Sequence, residues 1–270
     1  MAVITAEELS QLAKQFFRAK GIRLPTNFSG LPPQAPFGAK DQTTPDPTAL
    51  FVAPSTLSYH VNTAKTIGKD IEDLMDACAR AIARAFSQWQ SSAKFVGVLI
   101  NGPTGNGLPG CLVGPPAMSG ASIFSMVEAG GRQAMFVKYC RSITMAVGSA
   151  FETWRLGYMV TLVFPGGAVC SATMPPSPNI PVPVASGSSA GDAMMNASAL
   201  KGLMLAQHGT VGNHTVAIFD AFAQAFSTVF MKWKAATMIT NVMGAGGVAP
   251  VPPAPPGPVA AAIGNGGALV

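Results

Sequence analysis

The residue types that usually catalyse reactions or bind metals are sparse in this chain, and their spacing matches no such site. The three histidines are His60, His208 and His214, and none of their intervals is that of metal ligands on one helix. No serine is expected to form the sharp strand-to-helix turn that exposes the nucleophile of serine hydrolases. The sequence therefore predicts no catalytic residue, no cofactor site and no metal site, and we expect the chain not to be an enzyme.

The four cysteines, Cys78, Cys111, Cys140 and Cys170, have neither Cys-x-x-Cys spacing nor a nearby histidine, so they do not resemble a zinc site. We expect buried, reduced thiols. A single disulfide is the alternative, and the sequence does not select its pair.

Four carboxylates cluster in one predicted helix, at Asp70, Glu72, Asp73 and Asp76. Arg80 follows Asp76 at the spacing that favours an ion pair along a helix, so the cluster predicts a solvated helix face rather than a metal site. The glycine-rich segment 102–110 lacks the Lys-Ser/Thr of a phosphate loop and predicts the turn of a β-ribbon instead.

The composition points to a covered surface. Charged residues make up 11% of the 270 residues, against about 25% in typical soluble proteins. A protein of this size uses surface charge to stay apart from its neighbours, so we expect other proteins or lipid to cover part of it. The net charge of +5 is spread thinly and forms no basic run, which argues against specific nucleic-acid binding.

An internal repeat is marked by the three tryptophans, Trp89, Trp154 and Trp233. Each ends the same pattern of a small or apolar residue, two others, a second such residue, Phe, two others and Trp. Spacings of three and four place these side chains on one face of a helix. We expect them to anchor the packing of three helices, or their interfaces, and the predicted anchors are Phe86, Trp89, Phe151, Trp154, Phe226, Phe230 and Trp233.

A similar uncharged segment follows each tryptophan. After a polar or basic residue (Gln90, Arg155 or Lys234) comes an apolar run rich in β-formers, and then a glycine. Residues 95–127, 156–191 and 235–270 contain no Asp, Glu, Lys or Arg. A strand, a turn and a second strand stopped by a Pro-Pro pair fit this pattern, with turn glycines at Gly102, Gly167 and Gly246.

The predicted fold is therefore α+β, with three tandem units that each combine an amphipathic helix, an uncharged β-hairpin and a Pro-rich extended segment. Residues 1–57 form an N-terminal helix, with a capping box at Thr5 and Glu8, and a Pro-rich extended arm. The units span 58–120, 121–189 and 190–270. The last ends in a tail of Pro, Gly and Ala from residue 250, which should be disordered in isolation.

These features predict a structural subunit of a phage-like particle (a tail, baseplate or head accessory protein) or of a contractile injection machine. It would be synthesised in the cytoplasm without a signal peptide and incorporated into a particle or virion as a homo-oligomer or among other structural proteins. The alternatives are a shell or filament protein unrelated to phage, and a membrane-active protein that inserts its hairpins. The predicted strands of six or seven residues are shorter than the 9–11 that a spanning strand needs, which disfavours the last alternative.

Overall fold

The chain folds into a mixture of helices and one antiparallel sheet, which confirms the α+β class. The fold is seen in a computed structural model that describes residues 3–22, 58–101, 103–164, 177–212, 214–248 and 259–270. The extended arm predicted before residue 57 lies almost entirely outside these ranges.

Short and long helices alternate along the described chain. The short helices are α1 (Ala6–Arg18), α3 (Gly120–Ser125) and α5 (Ala197–His208). The long helices that follow them are α2 (Ser58–Ser92), α4 (Ala134–Leu156) and α6 (Thr215–Ala236). The sequence predicted a single helix over 121–156, loosened at Gly130-Gly131; this is wrong, because the helix is interrupted between α3 and α4 and Gly131 has a φ of 72°.

Local chemistry explains where several of these helices begin. Thr5 is the N-cap of α1, and its hydroxyl accepts a hydrogen bond from the Glu8 N–H at 3.3 Å, which is one of the two hydrogen bonds of the predicted capping box. Ser119 caps α3 in the same way, accepting from the Ser122 N–H at 3.2 Å. These contacts satisfy N–H groups that have no partner within the first turn of a helix.

Each long helix is followed directly by a strand, as the apolar run after each tryptophan predicted. These strands are β1 (Lys94–Asn101), β4 (Tyr158–Val163) and β8 (Met238–Val248). The remaining strands are β2 (Thr104–Gly107), β3 (Leu112–Val113), β5 (Ser177–Pro178), β6 (Val182–Pro183), β7 (Ser188–Ser189) and β9 (Val259–Leu269).

All described strand pairs are antiparallel, in the order β5-β8-β9-β1-β2-β4-β7, with β3 also pairing β1 and β6 pairing β8. The sheet is so strongly curled that two consecutive residues, 179 and 180, form hydrogen bonds with strands near its two opposite edges. Asn179 N donates to Val242 O of β8 at 3.1 Å, and Ile180 N donates to Val163 O of β4 at 2.7 Å.

The C-terminal segment differs from its prediction. Residues 259–269 are not a disordered tail, because β9 pairs with β8 on one side and with β1 on the other. β9 is only Ala, Gly, Val, Ile, Asn and Leu, and its small side chains fit a crowded position: a Cβ on Gly264 would lie 3.2–3.3 Å from Val98, Ile100 and Val242. β8 and β9 have 11 residues each, so the expected strand length of six or seven was also wrong for this pair.

The predicted hairpins are seen for two of the three segments. β1 pairs with β2, and β8 pairs with β9. β4 pairs with β2 and β7, whereas the next strand along the chain, β5, pairs with β8. Among the described residues β4 thus forms no hairpin with the strand that follows it.

One hydrophobic core runs through all three predicted units. It joins the buried faces of the six described helices to the inner face of the sheet, where Phe95, Val98, Leu162 and Val242 are fully buried. In the described part of the chain, no helix combines the length and the apolar character needed to cross a membrane.

Candidate functional site

The seven predicted anchors lie at the centre of the core, near the ends of the three long helices. Each is at most 2% exposed. Three ring pairs of similar geometry join the long helices. In each pair, the phenylalanine of the Phe-x-x-Trp pattern in one helix contacts the tryptophan of another helix in an edge-to-face arrangement. The pairs are Phe86–Trp233 (4.9 Å between centroids, 86°), Phe151–Trp89 (4.7 Å, 83°) and Phe230–Trp154 (5.0 Å, 86°).

Trp233 also contacts both of the other tryptophans, at 6.1 Å from Trp89 and 6.0 Å from Trp154. Phe226, the seventh anchor, stacks on Phe230 one turn away at 6.1 Å. Edge-to-face pairs within this distance range add about 0.5–1.5 kcal/mol each beyond the burial of their area. The cluster therefore fixes how the three helices meet.

Two of the three indole N–H groups donate hydrogen bonds to polar side chains. Trp233 Nε1 donates to Gln90 Oε1 at 3.2 Å, and Gln90 Nε2 donates to Leu269 O of β9 at 3.4 Å. Trp154 Nε1 donates to Asp192 Oδ1 at 3.1 Å. Gln90 thus links the cluster to the sheet. In the sequence, this contact was indicated by the polar or basic residue that directly follows each tryptophan, which is Gln90 in the first unit.

Asp192 is a second polar contact of the cluster, and the sequence did not predict it. It accepts from Lys234 Nζ at 2.6 Å, and the Lys234 side chain is only 7% exposed. Its other oxygen accepts from Ser189 N at 2.8 Å. A buried ammonium needs such a partner, because removing its charge from water is costly. Asp192 is the first charged residue after a long uncharged segment, and that position was the only signal for it.

Trp89 differs from the other two tryptophans. Its Nε1 is buried without a hydrogen-bond partner among the described residues. Gly114 lies against it, and a Cβ at that position would come within 2.6 Å of the same nitrogen. This close approach explains why residue 114 has no side chain.

Only one of the three predicted turn glycines lies within the described residues. Gly102 and Gly167 lie outside the described residues. Gly246 is not in a turn: it lies inside β8 and pairs with Ala262 of β9. The strand continues past it because β9 supplies backbone partners as far as Val248.

Residues Gly187-Ser188-Ser189-Ala190-Gly191 match the Gly-x-Ser-x-Gly pattern that the sequence analysis missed. The structure gives them another role. Ser189 Oγ donates to Trp154 O at 2.6 Å and accepts from Gly191 N at 2.9 Å. A serine nucleophile needs a general base within hydrogen-bonding distance, whereas the described hydrogen bonds of the Ser189 hydroxyl are to backbone groups. Ser189 instead holds this segment against the end of α4.

Two of the four carboxylates clustered on α2, Asp73 and Asp76, form ion pairs. Asp73 contacts Lys69 at 2.5 Å and Arg132 at 3.1 Å, and the hydrogen bond from Lys69 lowers the pKa of Asp73. Burial raises the pKa of Asp76, but hydrogen bonds from Lys14 and Ser10 of α1 outweigh it, so that its pKa is lowered. The predicted ion pair of Asp76 is with Lys14 (2.8 Å) rather than Arg80. No metal-binding group of three or more His, Cys, Asp or Glu occurs among the described residues.

The described cysteines are buried thiols. Cys78, Cys111 and Cys140 are buried and free, and Cys170 lies outside the described residues. Burial raises the pKa of Cys111 to about 11. A hydrogen bond with Cys140, together with burial, raises the pKa of Cys78. Since the thiolate is the reactive form, the raised pKa values make Cys78 and Cys111 unreactive near neutral pH.

A surface groove of about 350 Å³ lies between α2, the start of α4 and α6. Its lining includes Asp70, Arg132 and Tyr139, but Arg132 is already paired with Asp73 and lies 5.1 Å from the Phe136 ring centroid. The groove presents no converging set of polar groups that would select a ligand.

Comparison with known protein families, curated proteins and solved structures finds no match to this chain.

Proposed function

We propose that this chain is a non-enzymatic structural subunit of a larger assembly. The assembly class that we favour is a phage-like particle (tail, baseplate or head accessory protein) or a contractile injection machine. Its partners would be further copies of itself or other structural proteins. A shell or filament protein unrelated to phage would share the same physical features.

The supporting observation is the outward face of the curled sheet. We call it the apolar sheet face and define it by five exposed side chains: Leu99, Met159, Val163, Met243 and Ile263, which are 38–52% exposed. Leu99 and Ile263 pair directly across β1 and β9. Lys94 is the single charged residue in the described strands. The polar residues between them, such as Asn106 and Thr161, are uncharged. Large apolar side chains exposed on an almost uncharged surface are typical of a contact surface.

We also propose that the three predicted units are true repeats arranged around a pseudo-threefold axis. The cyclic set of Phe–Trp contacts between the three long helices supports this. So does the packing of the short helices: each contacts the long helix that follows it and one other, with α1 on α2 and α6, α3 on α4 and α2, and α5 on α6 and α4.

A backbone detail supports the relation between the first and third units. Gly97 in β1 and Asn241 in β8 both have positive φ, 63° and 57°, and each lies eight residues after its tryptophan. Asn is one of the few residues that replaces glycine in this conformation. Leu162 stands at the matching place in β4, which continues as a regular strand, so the second unit departs from the pattern there. Such a chain would supply in one copy what a ring would otherwise need three subunits to supply.

The first test is the solution mass of the purified chain without detergent, measured by light scattering after gel filtration. We expect a defined oligomer for the wild type, and a shift towards the 27.6 kDa monomer for Leu99→Lys, which puts a charge on the apolar sheet face. The matched control is Met231→Lys, an exposed residue on α6 that should leave the mass unchanged. A wild-type chain that stays a soluble monomer at high concentration would contradict the assembly proposal.

The same uncharged face also fits a lipid surface, so a membrane-active protein is the second candidate. Flotation with anionic and zwitterionic vesicles separates the two. Wild-type protein that floats with vesicles, while Leu99→Lys does not, would favour the membrane alternative over the assembly proposal.

A further inference from the structure

His208 lies where three helices meet and makes no contact with a carboxylate among its described interactions. It is the last residue of α5 and is 3% exposed. Its ring centroid lies 4.4 Å from that of Tyr139 in α4 and 5.3 Å from that of Phe219 in α6. The imidazole is thus enclosed between two aromatic rings on different helices.

The hydrogen bonds around the ring define its neutral tautomer. Ser142 Oγ donates to Lys138 O at 2.8 Å, so its hydrogen is already used. Its contact with His208 Nδ1, at 3.2 Å, is therefore one in which Nδ1–H donates and the hydroxyl accepts. A second proton would enter at Nε2 and place a full positive charge in this enclosed position.

The charged groups of the neighbouring helices do not compensate that charge. Lys138 of α4 adds a like charge, and its ammonium contacts Thr210 at 2.5 Å. Asp220, the nearest acidic residue along α6, is held by Lys20 and Lys201. The hydroxyl groups of Tyr139 and Thr215 contact each other at 2.7 Å, and Arg141 is exposed. His214 stands at the N-cap position of α6, where its side chain makes no capping hydrogen bond.

The same place in α1 is filled by a residue that cannot bind a proton. Counted from their N-caps, Thr5 and Asn196, three buried residues of each helix fall at matching positions: Leu9 with Leu200, Ala13 with Met204, and Phe17 with His208. A hydrophobic ring therefore suffices to seat such a helix, and histidine adds sensitivity to protons at one of two otherwise similar positions.

We propose that His208 is a proton-sensitive latch: neutral, it holds α5 against α4 and α6, and protonated, it releases that helix. Burial, and secondarily the charge of Lys138, lower the pKa of His208 below its ordinary value of 6.5. The carbonyl end of α5 favours a cation there, but the net shift is downward. The stabilisation of α5 by neutral His208 is therefore complete above pH 6.5 and is lost as the pH falls towards the lowered pKa.

Hydrogen exchange measured from pH 7 to pH 5 by mass spectrometry, corrected for intrinsic exchange rates, tests this. In the wild type, protection of α5 amides should fall with decreasing pH, by up to about tenfold per pH unit, the limit for one proton. The amides of α1 serve as an internal control and should not change in this way. In His208→Phe, which copies the arrangement of α1, protection of α5 should become independent of pH.

Either of two results would overturn the latch: α5 protection that does not change with pH in the wild type, or the same loss in His208→Phe. If that variant does not fold, His208→Gln replaces it. An NMR titration of the His208 ring in the wild-type protein is an independent test. A His208 pKa at or above 6.5 in the folded protein would also contradict the proposal.

Discussion

At the scale of single residues, the aromatic cluster combines burial with directional contacts. Trp154 illustrates this, because its ring meets Phe230 and Trp233 while its N–H binds Asp192. Removing such a side chain leaves a cavity and breaks its hydrogen bond, although Asp192 keeps its contact with Lys234. The residues that hold the helices together are thus among the largest buried side chains of the described chain.

Trp154→Ala should lower the free energy of unfolding by about 3–5 kcal/mol, through the lost burial and the cavity. Chemical denaturation followed by circular dichroism measures the change. The exposed Met231→Ala provides a control that should stay within about 0.5 kcal/mol of the wild type. Wild-type stability of Trp154→Ala would contradict its role as an anchor.

Gly114→Ala should destabilise the protein by about 1–3 kcal/mol, because the new methyl group would overlap Trp89, which is packed among other rings and cannot move aside. Gly202→Ala is the matched control. Gly202 lies inside α5 with open space around its Cα, so alanine there should be neutral or stabilise the helix by up to about 1 kcal/mol. Equal effects of the two substitutions in thermal unfolding would refute the steric explanation.

At the scale of helices and strands, ion pairs join the short helices to the long ones. Asp220 of α6 contacts Lys20, just after α1, and Lys201 of α5. One carboxylate therefore ties two short helices to the same long helix.

Asp220→Asn should lower the free energy of unfolding at neutral pH. It should also make that free energy less dependent on pH in the acidic range. Burial raises the pKa of Asp220, but the two lysines outweigh it and the net pKa is below 3.8. Its stabilisation is therefore present above pH 3.8 and lost as the pH falls through the lowered pKa. Urea unfolding between pH 7 and pH 2 measures this, with the exposed Asp70→Asn as control. Parallel pH profiles for wild type and Asp220→Asn would contradict the assignment.

The helices were more predictable than the strand partners. Phe-x-x-Trp spacing and the Thr5 cap are local signals, so the positions of α1, α2 and α6 followed from the sequence. β9 could not be recognised, because its Ala-Gly composition is typical of unstructured segments and its order comes from β1 and β8. The polar contacts of Asp192 and Asn179, which accepts from Val242 N at 2.8 Å, depend on tertiary neighbours in the same way.

At the scale of the whole molecule, the proposed repeat makes an energetic prediction. Double-mutant cycles with leucine should give similar coupling energies, about 0.5–1.5 kcal/mol, for all three of the pairs Phe86–Trp233, Phe151–Trp89 and Phe230–Trp154. Phe95 and Phe226 pack against other rings, and they should show no coupling with the tryptophans of these three pairs. Coupling confined to one of the three pairs would count against equivalent units.

The position of β9 in the sheet has a consequence for how the protein forms on the ribosome. β1 is synthesised early, yet Leu99 reaches its partner only when Ile263 has been made. Until then one edge of β1 is an open template for other chains. Contacts so distant in sequence slow folding, so the nascent chain should depend on chaperones that shield strand edges until its final strand emerges.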